Sequence, residues 1–143
     1  YGIISPSWNK IDEKVRYEPQ LYAADLDAYS WLKAHTAPDA VMMTRNPWQL
    51  NWTAERPAVM IPYTTDRNTL LILAKHYKAQ YLVLDSLQRP EPEVRTLIEA
   101  MLADQQLGFK EVYRTPIYAA EYGPRRTQVF AEIYAFPEDY GGK

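Results

Sequence analysis

The sequence predicts an α/β fold: a three-layer sandwich around a mostly parallel sheet of strand order about 2-1-3, closed by an antiparallel C-terminal strand pair. Three observations predict it. Residues 41–44, 58–61 and 81–84 are short apolar runs rich in Val, Ile, Leu and Met, with no polar residue alternating into them. Runs of that kind form strands buried on both faces, as in a parallel sheet covered by helices. Helical patterns separate the runs. The last apolar run, 127–136, instead alternates strongly, which marks a strand with two different faces.

In chain order, residues 1–21 carry Pro6, Pro19 and mixed charges without periodicity, and read as an irregular lead-in. Residues 22–136 read as a single α/β domain and 137–143 as a tail. The first helix spans 24–35. Ala24, Ala28, Trp31 and Leu32 share one face, and Asp25 and Asp27 in the first turn complement the helix dipole. Pro38-Asp39 turns the chain into the first strand. Pro47 suits the opening turn of a short helix over 47–54. After the second strand, Thr64 or Thr65 is placed to cap a helix over 66–78, whose apolar face is Leu70, Leu73, Ala74 and Tyr77. Beyond the third strand and the prolines Pro90 and Pro92, residues 93–107 give the cleanest helical stripe: Val94, Leu97, Ile98, Met101 and Leu102. Gly108 is a ready C-terminal cap. Residues 110–115 and 127–136 complete the sheet as an antiparallel pair joined by a long loop.

Composition narrows the function classes. With 143 residues the chain is long enough for one real core. A net charge of −2 provides no basic surface for nucleic acid, and the absence of cysteine excludes disulfides and thiolate metal sites. No apolar run approaches the roughly 20 residues that span a bilayer. The chain begins at Tyr1 and closes on Asp139-Tyr140-Gly141-Gly142-Lys143, and reads as a segment of a longer protein.

The carboxyl ends of the strands are where an open α/β sheet binds ligands. The candidate binding rim there is Arg45, Asn46, Trp48, Arg56 and Asp85. None of the five glycines lies in the first strand-to-helix turn, which excludes dinucleotide binding, and no cofactor is expected. His35 and His76 lack a partner at metal spacing and read as capping or surface residues. No serine sits in a Gly-x-Ser-x-Gly context, so no catalytic residue is assigned. Asp85 at a strand end is a candidate acid or base, but capping of the next turn is the expected role. Trp48 and Trp52, four apart, share a helical face and read as core residues; with Asn46 and Asn51 they alternatively form a sugar-stacking surface. Arg56 is placed to bridge loop carbonyls or carboxylates, or to meet an anion. Asn51-Trp52-Thr53 matches a glycosylation sequon, and Arg125-Arg126 reads as a solvated loop.

Four stretches carry a resemblance: Trp31-Leu32-Lys33; Ala40-Val41-Met42-Met43-Thr44-Arg45-Asn46-Pro47-Trp48; Arg56-Pro57-Ala58-Val59 through Pro62; and Tyr77 through Asp85. Together, over residues 22–136, the chain resembles the C-terminal domain of multispanning bacterial membrane glycosyltransferases. These are relatives of the dolichyl-phosphate-mannose–protein mannosyltransferases and the lipid A aminoarabinose transferases. The resemblance implies an extracytoplasmic, non-catalytic domain at the cell membrane. Its expected partners are the transmembrane part of the same polypeptide and a glycan or lipid-linked sugar. The family's catalytic acid lies in a loop between early membrane helices, which this segment does not include. The competing expectation is an independent carbohydrate- or small-ligand-binding module of flavodoxin-like shape.

Overall fold

The structure, a computed structural model, describes residues 21–122 and 125–139, without side chains at 121, 122, 125 and 126. The expected lead-in (apart from Leu21) and most of the tail lie outside the described residues. The elements in order are α1 (Ala23–His35), β1 (Val41–Thr44), α2 (Pro47–Ala54), β2 (Ala58–Met60), α3 (Arg67–His76), β3 (Ala79–Leu84), α4 (Pro92–Ala103), β4 (Lys110–Arg114), β5 (Tyr118–Tyr122), β6 (Arg125–Val129) and β7 (Glu132–Ala135).

The protein is mixed α/β. Its main sheet has five strands in the order β2-β1-β3-β7-β4, and β5 and β6 form a separate antiparallel pair. β1 runs parallel to both β2 and β3, as expected. β7 is antiparallel to both β3 and β4. Parallel and antiparallel pairings are therefore equal in number, and the sheet is mixed rather than mostly parallel.

Strands β1, β2, β3 and β7 feed two cores. Met42, Ala58, Val83 and Ile133 face a core completed by Ala24, Ala28 and Leu32 of α1 and by Leu50 and Ala54 of α2. Their sequence neighbours Met43, Val59, Leu82 and Leu84 face the other, with Leu70 and Ala74 of α3 and Val94, Ile98 and Met101 of α4. Successive side chains of a strand point to opposite faces, so an unbroken apolar run supplies both cores at once. The crossovers through α2 and α3 lie on opposite faces, as right-handed connections out of a 2-1-3 order require.

Two helix boundaries depart from expectation. α3 is capped by Asp66, whose side chain accepts from the Asn68 N–H at 3.2 Å, whereas Thr64 accepts from the Asp66 N–H instead of capping. α4 stops at Ala103 rather than 107. The Asp104 carboxylate takes the Gln106 N–H at 2.9 Å and an ion pair from Arg67 at 2.7 Å, and this local turn outcompetes another helical turn. Gly108, with φ +86°, turns the chain four residues later.

The alternating run 127–136 is two strands, not one. Thr115 is buried, and the chain is pinned to it at Ala131. The Thr115 N–H donates to the Ala131 carbonyl at 3.0 Å, and the Ala131 N–H donates to the Thr115 hydroxyl at 2.9 Å. β6 leaves the main sheet there to pair with β5, so the expected long loop is largely a hairpin. That hairpin places Ala120 and Val129 on the core beside α1.

Candidate functional site

β1 and β3 end side by side: Thr44 is the last paired residue of β1, and Asp85 follows Leu84 at the end of β3. α1 crosses this end of the sheet with Asp25 and Tyr29 on its inner face, one turn apart. All four side chains are shut off from solvent. The Asp85 carboxyl accepts hydrogen bonds from the hydroxyls of Tyr29 and Thr44. Thr44 in turn accepts the Asn46 N–H at 3.1 Å. Asp25 accepts the backbone N–H groups of Ser86, at 2.6 Å, and Leu87, at 3.4 Å. The capping expected of Asp85 is thus performed by Asp25, which the sequence places only in a dipole-compensating first turn.

Burial sets the electrostatics. It pushes the Asp85 carboxyl from 3.8 up to about 8, aided by the nearby Asp25 charge and opposed by the Thr44 and Tyr29 hydroxyls. Burial likewise raises Asp25 to about 6, against the pull of the two backbone N–H groups and of Arg89. Tyr29 is held well above the usual phenol value, first by burial and then by the Asp85 and Asp25 charges. An acid poised near neutrality is a familiar catalytic device. Here it is sealed: no face of Asp85 meets solvent, so the cluster latches α1 to the ends of β1 and β3 rather than meeting a substrate.

The five candidate rim residues do not form one site. Arg45 is half-buried and pairs with Glu91 at 3.0 Å, another of its donors pointing at the Met60 sulfur, so it ties side chains together. Asn46 occupies the N-cap of α2 without a side-chain capping bond.

Arg56 precedes β2 and therefore sits at the opposite end of the sheet from Asp85, not on the carboxyl rim. It is buried, and all five of its donors are taken. Nε reaches the Thr36 hydroxyl, one terminal nitrogen the carbonyls of Ala54 and Glu55, and the other those of Lys33 and Thr36. The C-termini of α1 and α2 thus share one guanidinium, which satisfies carbonyls that have no helical partner. No donor remains for an anion.

Trp48 and Trp52 are not core residues: they are 42% and 45% exposed. The eight-residue α2 carries a second i, i+4 pair, Leu50 and Ala54, about 200° around the helix from the first. The narrower pair fits the gap against α1 and β2, and it turns both indoles outward.

Asp25, Tyr29 and Thr44 were absent from the candidates. The available signal was a carboxylate and a phenol at i, i+4 on the helix side that also carries Ala28 and Leu32. No grouping of three or more potential metal ligands occurs among the described residues. No helix among them is long and apolar enough to cross a membrane. No family model matches the chain, and no curated protein matches it.

Proposed function

We propose that this chain is a non-catalytic, extracytoplasmic domain of a membrane glycosyltransferase that uses a polyprenyl-phosphate-linked sugar, and that it docks on the membrane part of the same polypeptide. One observation carries the proposal. At the carboxyl rim the Asp25 and Asp85 carboxyls are sealed inside, while two large indoles are turned out along α2. Such a surface is built to bind and not to react. Tryptophans are favoured where an apolar body meets a polar boundary, as at membrane interfaces. The resemblance over residues 22–136 supplies the family. The finer reading of the architecture is a three-layer α/β sandwich, supported by the two cores on opposite sheet faces.

The test is the coding sequence around this segment. Membrane-spanning helices upstream, with an acidic residue in the first external loop, are expected; a reading frame opening near Tyr1 overturns the proposal. The purified chain is also expected to leave a polyprenyl-phosphate sugar unchanged. Turnover that a point substitution in the chain abolishes would contradict it.

The same exposed pair favours a second reading, a free carbohydrate-binding module in which Trp48 and Trp52 stack on sugar rings. A glycan screen separates the two. Binding lost in Trp48→Ala and Trp52→Ala, by a chain encoded without membrane helices, selects the module.

A further inference from the structure

We propose that the groove between α4 and the β6–β7 segment is a binding site for a phosphate group carried on an apolar chain. Two adjoining cavities form it. One, of about 670 Å³, is walled by the loop after β3, by α4 and by residues 127–130. The other, of about 370 Å³, is largely apolar, with Leu84, Pro90, Ile98 and Leu102 on its walls. Arg89, Arg95 and Glu99 line both.

The two arginines distinguish this groove from the rest of the surface. The other arginines with described side chains are engaged: Arg45 with Glu91, Arg67 with Asp104, Arg114 with Glu111 and Glu132, and Arg56 with four carbonyls and a hydroxyl. Arg89 and Arg95 have no carboxylate within ion-pairing distance among the described residues. The Arg89 guanidinium lies over the Phe130 ring, 5.3 Å from its centroid, with only a long bond of 3.4 Å to the Phe130 carbonyl. The ring supports its flat face and leaves its edge donors open. Arg95 is half-buried, with no partner for its guanidinium among the described residues.

The donors fit a tetrahedral oxyanion better than a carboxylate. One guanidinium fork already engages both oxygens of a carboxylate. Two forks, with the Gln128 amide lining the same cavity, suit the three free oxygens of a phosphate monoester; the Thr96 hydroxyl beside them donates to the Pro92 carbonyl at 3.0 Å. Glu99 is the one carboxylate lining both cavities, so the shared wall is net positive; Glu132, which lines the apolar cavity alone, is mostly buried and ion-paired with Arg114 at 2.6 Å. The apolar cavity opens from the same three side chains and receives the hydrocarbon. The site shares no residue with the sealed rim cluster, and it stands whether or not the chain serves a glycosyltransferase.

The experiment titrates the chain with hexyl phosphate, inorganic phosphate and hexanoate by calorimetry. Hexyl phosphate is expected to bind about tenfold or more tighter than inorganic phosphate, because methylenes leave water, and tighter than hexanoate. Arg95→Gln, a half-buried side chain whose loss leaves the fold intact, is expected to weaken hexyl phosphate about tenfold, and Glu99→Gln to strengthen it severalfold. Sedimentation with phosphatidylcholine vesicles, with and without phosphatidic acid, assigns the source. Co-sedimentation only with phosphatidic acid points to a lipid, and binding of soluble hexyl phosphate without it to a soluble ester. No binding of hexyl phosphate, equal binding of the three ligands, or an Arg95→Gln protein that melts and binds like the parent overturns the proposal.

Discussion

Asp85 shows how a single buried carboxyl couples this fold to pH. Its value in the folded chain is raised from 3.8 to about 8, and that of Asp25 to about 6. A raised value means that the folded state holds protons which the unfolded chain has released. The contribution is therefore fully present below about pH 4 and is lost as pH rises through about 6 and then about 8. Surface carboxylates such as Glu55 and Asp104 are shifted downward by their ion pairs, and they act in the acid range below that window. The melting temperature is expected to fall between pH 5 and pH 8.5, and Asp85→Asn to flatten the fall. A melting temperature that rises over this range in the parent would contradict the assignment. Arg56 is the second residue with a large predicted effect. Arg56→Met strands four carbonyls at two helix ends and is expected to cost about 3 kcal/mol in urea unfolding. Arg56→Lys is expected to recover only part of that loss, since a lysine cannot reach both helix ends with five fixed donors.

At the scale of the element, α2 carries two competing faces. Periodicity alone does not rank them, because Trp48/Trp52 and Leu50/Ala54 have the same spacing. The structure buries Leu50 and Ala54 completely and leaves the indoles outside. Leu50→Ala is expected to cost about 2–5 kcal/mol, as buried leucines do. Trp48→Ala and Trp52→Ala are each expected to cost about 1 kcal/mol or less. Chemical denaturation of the three variants checks the order, and a larger loss from either indole than from Leu50 would reverse it. The hairpin of β5 and β6 is also held by particular residues. The Tyr113 and Tyr118 hydroxyls both donate to Asp27, which joins β4 and β5 to α1. Trp31 stacks on Tyr113 at 5.2 Å and on His35 at 4.6 Å along the same seam.

Over the whole molecule, the sheet separates two cores that share only backbone. Ile133 belongs to one and Ile98 to the other. Ile133→Val and Ile98→Val are each expected to cost about 0.5–1.5 kcal/mol. Because the two isoleucines belong to separate clusters on opposite faces of the sheet, the double variant is expected to equal the sum within about 0.5 kcal/mol. A larger deviation in equilibrium unfolding would mean that the two faces are coupled through the strands. The same separation places α1 and α2 on one face, and α3 and α4 on the other.

The local pattern of the chain determined its elements, because periodicity and apolar runs record how each segment meets a neighbour. It placed the parallel strands and their 2-1-3 order, the stripe of α4, and the alternation that puts Val129, Ala131 and Ile133 on one side. The candidate site was legible only in fragments. Asp85 and Arg56 stood out as polar residues beside strands, but they lie at opposite ends of the sheet, since one follows β3 and the other precedes β2. Tyr29, Thr44 and Asp25 lie 41 to 60 residues from Asp85 in the chain, and only tertiary packing brings them together. The break at Ala131 depended on Thr115, and the exposure of Trp48 depended on which of two equal faces fitted the gap beside α1. Pairing across the sheet and the width of a gap are properties of surfaces brought together by folding. A single segment carries no record of its partner's shape, and for that reason only the tertiary structure decided them.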